Sequence, residues 1–134
     1  MLNKLSEATG NRLSVEELKQ YQVFTEVPLI VNAEGGFMKA DIVLVKIVNR
    51  DIKDVIVIEN KLSKATEFTK RQTEGFRAIL KNGSADMKLK YKIDGFNWKN
   101  IHVSENNIYR FHDHGLPDGA IEIEKITGSM VKMK

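Results

Sequence analysis

Two apolar runs separated by a short polar segment constrain the fold of this 134-residue chain more than any other feature. Ile42–Val45 and Val55–Ile58 are each unbroken stretches of aliphatic residues, and such stretches are typical of strands buried on both faces. Residues 49–54 between them are mostly polar, as in a turn. The pattern therefore predicts two neighbouring antiparallel strands inside a sheet.

Charged residues at the open end of this strand pair need a physical reason. Asp41 directly precedes the first run, and Glu59, Asn60 and Lys61 follow the second. An unpaired charge is costly to bury, so these groups are not expected at the end of core strands without a partner. Glu59 and Lys61 are two residues apart and point to the same face. We expect Asp41, Glu59 and Lys61 to converge, with a divalent cation between the carboxylates.

The oxygen donors of this group suit a hard cation. The carboxylates of Asp41 and Glu59 and the backbone carbonyl of Asn60 predict a site for Mg²⁺ or Mn²⁺, with Zn²⁺ as a further candidate. Such an ion activates water and neutralises a phosphate, while Lys61 orients the water or stabilises developing negative charge. One alternative stays open: Glu59 and Lys61 merely end a strand at the solvent edge, and Asp41 pairs with Lys39 or Lys46.

The remaining pattern predicts one α+β domain, residues 1–134, built around a mixed sheet. A capping box at Ser14 and Glu17 opens a first helix, and Pro28 indicates an edge strand or a bulge. The predicted order is helix, three-stranded meander, helix and further strands. The helices are predicted at 14–22 and 66–81, and the strands at 24–31, 37–48, 55–62, 87–93, 101–103, 108–111 and 120–126.

Charge and composition narrow the function further. The net charge is only +3, but residues 60–99 contain ten basic residues against four acids, a balance suited to a polyanionic partner or to a solvated lysine-rich face. The chain has no cysteine, which excludes disulfides, thiolate zinc sites and a cysteine nucleophile. No apolar run approaches the roughly 20 residues of a membrane span, so we expect no membrane partner.

Two other groups of residues offer alternatives. His112 and His114, two residues apart and with His102 nearby, are spaced to share a strand face and bind zinc or nickel, although no third ligand is evident. A polar strand end is the simpler interpretation. Aromatic residues interleave with basic ones in the second half of the chain, as in base-stacking surfaces, but we expect most of them in the core. These residues are Tyr91, Phe96, Trp98, Tyr109 and Phe111.

The order of these motifs resembles that of the PD-(D/E)XK nuclease superfamily. Asp41 followed by Glu59-x-Lys61 at the end of the next strand is similar to its metal-binding motif, and Gln72 lies on the apolar stripe of the following helix as in some of these nucleases. More narrowly, Thr25–Val27, Gly35–Gly36, Ala40–Val43, Ile58–Lys61 and Ala65–Gln72 resemble C-terminal toxin domains of bacterial contact-dependent growth inhibition systems. The resemblance covers residues 15–83.

The resemblance implies a restriction-endonuclease-like core and assigns roles to residues. Asp41 and Glu59 would be metal ligands, Lys61 the catalytic lysine, and Gln72 a residue that holds the site or the substrate. Such sites often include a glutamate from the first helix, and Glu17 is our candidate, with Glu26 on the first strand as its competitor.

The resemblance also implies a biological setting. The chain would be part of a larger exported cell-surface effector, act on DNA or tRNA in the target-cell cytoplasm, and bind a cognate immunity protein. We favour DNA, since a complete carboxylate–ExK set suits duplex cleavage. The alternatives are a tRNA-cleaving toxin, a restriction or repair nuclease without an immunity partner, and a non-enzymatic binding module.

Overall fold

The computed structural model describes residues 1–61, 66–112 and 120–131. It has the predicted mixed α+β character, with a five-stranded sheet in the order β1-β2-β3-β6-β7 and a separate hairpin, β4-β5. The strands are β1 Gln22–Ile30, β2 Phe37–Val48, β3 Asp51–Asn60, β4 Ser84–Lys88, β5 Asn100–Ser104, β6 Ile108–His112 and β7 Glu122–Lys125. The helices are α1 Leu2–Ala8, α2 Val15–Leu18 and α3 Lys70–Asn82, and a short 3₁₀ turn covers Glu105–Asn107.

The predicted meander is confirmed. β1 pairs antiparallel with β2, and β2 pairs antiparallel with β3. β1 is an edge strand of the sheet, as Pro28 indicated, because proline removes a backbone donor that a central strand would use. β3 then pairs in parallel with β6, so the carboxyl ends of these two strands lie at the same edge of the sheet.

The sheet separates two apolar cores. One core lies against α3 and the β4-β5 hairpin and includes Val43, Val57 and Phe76. The other lies against the amino-terminal helices and includes Leu5, Leu44 and Ile56. Because alternate residues of β2 and β3 enter opposite cores, both faces of these strands are buried, which explains their unbroken aliphatic runs.

Helix α3 begins and ends at recognisable caps. Thr69 caps the amino terminus in a capping box with Gln72, and Gly83 ends the helix in a left-handed conformation with φ +80°. Gly75 allows the helix to approach the sheet closely, since an added Cβ would lie 2.9 Å from Cγ1 of Val31 and 3.0 Å from Sδ of Met38. This close packing brings the first turn of α3 over the end of β3.

Several sequence predictions need correction. The predicted strand at 87–93 is wrong beyond Lys88, because only Leu89 makes a further bridge, to Leu29, and the alternation of lysine with apolar residues continues into a loop. The predicted helix at 66–81 begins later, at Lys70, and α2 is only one turn long. Helix α1 was not predicted. The predicted turn at 115–119 lies outside the described residues.

The aromatic residues mostly follow the core interpretation. Phe96 and Tyr109 are buried, and Trp98 and Phe111 pack partly buried against the two cores. Tyr91 is the exception and is exposed. No helix within the described residues combines the length and the apolar character that crossing a membrane requires.

Candidate active site

The sheet brings Asp41, Glu59 and Lys61 together at one edge. The last register pair of the β2-β3 hairpin at this end is Ile42 with Ile58, and Asp41 on β2 and Glu59 on β3 are the next residue of each strand beyond that pair. The backbone N–H of Asn60 donates a hydrogen bond of 2.8 Å to Oδ2 of Asp41. The Asp41 charge also raises the pKa of Glu59, because two negative charges repel one another.

Glu59 is fully buried although it is a carboxylic acid. Oε2 accepts a hydrogen bond of 2.9 Å from Nε2 of Gln72, whereas Oε1 is buried without a hydrogen-bond partner among the described residues. Burial, followed by the charge of Asp41, raises the pKa of Glu59 to about 9. A buried acceptor oxygen that lacks a partner within the described chain and lies near a second carboxylate fits a cation ligand.

Lys61 is held between the sheet and α3. Its Nζ donates a short hydrogen bond to Oε1 of Gln72 and lies 5.2 Å from the centre of the Phe68 ring. Its backbone N–H donates to the carbonyl of Phe111 on β6. Burial lowers the pKa of Lys61, because desolvation disfavours the ammonium form.

Gln72 connects the acid and the base through one amide group. Its side-chain nitrogen donates to Glu59, and its side-chain oxygen accepts from Lys61 and from the backbone N–H of Thr69. The last of these bonds belongs to the capping box, so the start of α3 fixes the orientation of the amide. Gln72 is thus both a helix cap and the bridge that holds Glu59 and Lys61 in place.

The two candidates for a fourth acid lie in different surroundings. Glu17 is exposed, closes the capping box of α2 on Ser14, and has Tyr21 as an electrostatic neighbour. Glu26 lies on β1 between Thr25 and Val27, whose partners Ile42 and Ala40 flank Asp41. Position along the sheet therefore favours Glu26 over Glu17 as a fourth acid, although the Glu26 side chain is exposed and makes no hydrogen bond to the described residues of the site.

The backbone is irregular where Glu26 faces Asp41. Glu26 has φ +52°, a left-handed conformation that a non-glycine residue adopts at a cost of about 1–3 kcal/mol. β2 also changes phase here: Met38 and Ala40 contribute to the core under α3, and so do Val43 and Val45. A regular strand would keep only alternate residues on that face. The irregularity coincides with Asp41, which the sequence had placed in one continuous strand.

The spacing of His112 and His114 stays a prediction, because His114 lies outside the described residues. His102 is exposed, and its Nδ1 lies 2.6 Å from Oδ1 of Asp86. His112 is buried on β6, next to Glu122 and Glu124 of β7. Sequence reasoning missed these two glutamates as neighbours of His112, because Glu122 lies ten positions further along the chain and no motif links them.

Comparison with protein-family models, with curated proteins and with solved structures gives no match. The interpretation of the site therefore depends on the chemistry and the geometry of this chain.

Proposed function

We propose that this protein is a metal-dependent endonuclease that hydrolyses nucleic-acid phosphodiesters, with Asp41, Glu59 and Lys61 in its active site. The observation that carries the proposal is the buried Oε1 of Glu59, which has no hydrogen-bond partner in the described part of the chain and lies beside the Asp41 carboxylate and a buried lysine. A structural salt bridge would instead satisfy both carboxylate oxygens.

The donor set fits a hard divalent cation. Asp41 and Glu59 would hold Mg²⁺ or Mn²⁺, with the carbonyl of Asn60 as a further oxygen ligand. When bound, such an ion supplies charge neutralisation at the phosphate and acidity to water. Gln72 would keep Oε2 of Glu59 oriented, so that Oε1 remains available for the cation.

Lys61 would act on the phosphate. Its ammonium is buried and held by Gln72, so it needs no reorganisation when negative charge develops on a phosphate oxygen. The lowered pKa also makes this ammonium a better proton donor to a departing oxygen than an exposed lysine would be.

The first turn of α3 supports binding of an anion beside this group. Lys70 and Arg71 are the first two residues of the helix, and the first turn contains no acid. Basic residues at a helix amino terminus oppose the helix dipole and cost about 0.3–1 kcal/mol each. A polyanionic substrate at this end of the helix would be attracted by the dipole and by Lys70, whereas Arg71 already pairs with Glu74 at 2.9 Å.

A groove beside the edge strand offers a second contact surface. It has a volume of about 510 Å³ and is lined by both basic and aromatic side chains. The residues that line the groove lie between Lys88 and Lys99. This segment contacts the sheet at two points: the backbone N–H of Lys90 donates to the carbonyl of Pro28, and the Tyr91 ring contacts the Phe37 ring on β2. Lysines bind phosphates and aromatic rings stack on bases, so this groove suits single-stranded or distorted nucleic acid.

The proposal extends to a biological setting that follows from the resemblance to contact-dependent growth inhibition toxins. In that setting the domain is delivered as part of a larger exported effector, cleaves DNA in the cytoplasm of the target cell, and is neutralised by a cognate immunity protein. A tRNA substrate is the alternative outcome within the same chemistry.

Cleavage assays on plasmid DNA and on tRNA, with Mg²⁺, Mn²⁺ or a chelator, test the activity. We expect metal-dependent cleavage, and loss of at least about 100-fold in rate for Glu59→Gln, since the substitution removes a metal-binding carboxylate. Asp51→Asn, an exposed acid on the same strand, is the matched control and should cleave like the parent chain. The proposal fails if neither substrate is cut with any of the metals, or if Glu59→Gln is as active as the control.

A further inference from the structure

The row of polar side chains continues across the sheet beyond Glu59. In the parallel register Glu59 is paired with Arg110 of β6, and in the next strand pair Arg110 faces Glu124 and His112 faces Glu122. Ile108, two residues before Arg110, belongs to the core under α3. Because alternate residues share a face, Arg110 and His112 lie on the face that also holds Glu59.

His112 is buried in an unusual way. Its side chain is only 3% exposed, and neither ring nitrogen has a hydrogen-bond partner among the described residues. Nε2 lies 3.7 Å from Oε2 of Glu122 and 3.9 Å from Oε1 of Glu124. A buried imidazole without a hydrogen bond is costly, by about 1–3 kcal/mol, so the arrangement needs a compensating partner.

The distances favour an ion between these groups over direct pairing. A histidine that pairs with carboxylates normally approaches them to about 2.7–3.2 Å, which is shorter than either distance here. Ligands about 2.0–2.2 Å from a tetrahedral metal lie roughly 3.4 Å from one another. The three ligand atoms lie within 4.8 Å of one another, so shifts of about 1 Å or less in each would bring them to this spacing, and a water molecule would be the fourth ligand.

Neighbouring contacts orient one of the glutamates. Nε of Arg110 donates to Oε1 of Glu124 at 3.1 Å, and Nη2 makes a second, shorter bond to the same oxygen. Metal-binding carboxylates are commonly held by outer hydrogen bonds of this kind. Arg110 also places a positive charge beside Glu124, which offsets part of the repulsion between the two glutamates when no ion is bound.

We propose that His112, Glu122 and Glu124 bind one divalent transition-metal ion, Zn²⁺ by their donor set, at a site separate from the Asp41–Glu59 pair. One imidazole and two carboxylates suit Zn²⁺ better than Mg²⁺, which prefers a full set of oxygen ligands. The ion would tie the four-residue edge strand β7 to β6. This role does not depend on the proposed nuclease activity.

Zinc binding to the full chain tests the proposal directly. After removal of metals with a chelator, isothermal titration with ZnCl₂ and elemental analysis after gel filtration should both give one strongly bound Zn²⁺ per chain. Glu59→Gln should retain this ion, because Glu59 is not one of its ligands. Zinc should also raise the melting temperature of the parent chain, since a ligand that binds only the folded state stabilises it.

Two ligand variants and one control make the outcome decisive. His112→Gln should weaken Zn²⁺ binding at least about 100-fold, whereas His102→Gln, which alters the exposed histidine, should bind like the parent chain. Glu122 is half-exposed, so Glu122→Gln should stay folded and bind about 10-fold or more weakly. If His112→Gln does not fold, Glu122→Gln decides. The proposal is overturned if the parent chain binds no zinc, if Glu122→Gln binds as tightly as the parent, or if Glu59→Gln abolishes binding.

Discussion

The two ends of β3 differ in how completely their polar groups are hydrogen-bonded. At the end near the β2-β3 turn, Asp54 accepts hydrogen bonds from the hydroxyl of Tyr21 and from Nδ2 of Asn107, and Oδ1 of Asn107 accepts from Arg12. At the other end, Oε1 of Glu59 is buried without a partner among the described residues, and the same holds for both ring nitrogens of His112 on neighbouring β6.

The comparison distinguishes buried polar groups that stabilise the fold from buried polar groups that are available to a ligand. The network around Asp54 connects the segments on either side of α2, at Arg12 and Tyr21, to β3 and the 3₁₀ turn, so its bonds contribute to the stability of the fold. The Glu59 end keeps acceptors free at a cost in stability, an arrangement typical of sites that bind ions or substrates. Variants at the two ends should therefore affect different properties: activity at Glu59 and Lys61, stability at Asp54 and Tyr21.

The largest effect is expected for Lys61→Met. Cleavage should fall by about 100- to 1,000-fold, because the variant lacks the preorganised ammonium to which we assign the stabilisation of charge on the phosphate. The free energy of unfolding should stay the same or rise, since methionine retains an apolar chain without the desolvated charge. Cleavage kinetics and urea unfolding measure the two quantities, and Lys53→Met, at an exposed position of the same strand, is the control. A loss of both stability and activity would contradict the comparison.

Asp54→Ala should show the opposite pattern. The free energy of unfolding should fall by about 3 kcal/mol, because two hydrogen bonds to a charged acceptor are lost. Cleavage per folded molecule should stay unchanged, since Asp54 lies at the far end of β3. Urea unfolding and active-site titration of the folded fraction test this, with the exposed Asp51→Ala as the control, expected to change stability by at most about 0.5 kcal/mol. If Asp54→Ala leaves stability intact, the network has no structural role.

The smallest effect concerns alkaline pH. Burial, and then the hydrogen bond to Asp54, raise the pKa of Tyr21 above its ordinary value of 10.0. The folded state therefore keeps this proton after the unfolded state has lost it. The stabilisation is complete below pH 10 and decreases as the pH rises towards the pKa of the folded state, by up to about 1.4 kcal/mol per pH unit.

Tyr21→Phe should lack this part of the pH dependence. Urea unfolding between pH 8 and 11 should give a shallower decline for the variant than for the parent chain. The pKa of Tyr109 is raised as well, by burial, but Tyr109 is present in both proteins and its contribution cancels. Equal slopes for the two proteins would show that the Tyr21 hydroxyl is not held by Asp54 in solution.

The pattern of apolar and polar residues predicted the candidate active site, because its residues come from segments that are neighbours in the sequence. The turn between the two aliphatic runs brings Asp41 next to Glu59, and a polar residue on an apolar helix stripe identified Gln72. The dual role of Gln72 was missed because the helix begins four residues later than its apolar pattern suggests. The phase change at Asp41 was also missed, because periodicity reports only the average direction of side chains.

The neighbouring cluster on β6 and β7 could not be predicted from local pattern. Arg110, His112 and Glu124 come to lie near the Glu59 end of β3 through the parallel pairing of β3 with β6, and no turn or spacing in the sequence specifies that pairing. The lysine alternation at 87–93 indicated a strand, yet tertiary context placed most of these residues in a loop. Exposed lysines with partly buried neighbours produce the same alternation in either structure.

The parallel pairing of β3 with β6 also has a consequence for the order of folding. Val57 pairs with Ile108, about 50 residues further along the chain, whereas β1, β2 and β3 are joined by short turns. Closing the longer loop costs more chain entropy before any contact repays it. We expect the meander to form first and β6 to dock late. Slow phases in refolding experiments should therefore report on His112 and Tyr109, while the hairpin that joins Asp41 to Glu59 is already formed.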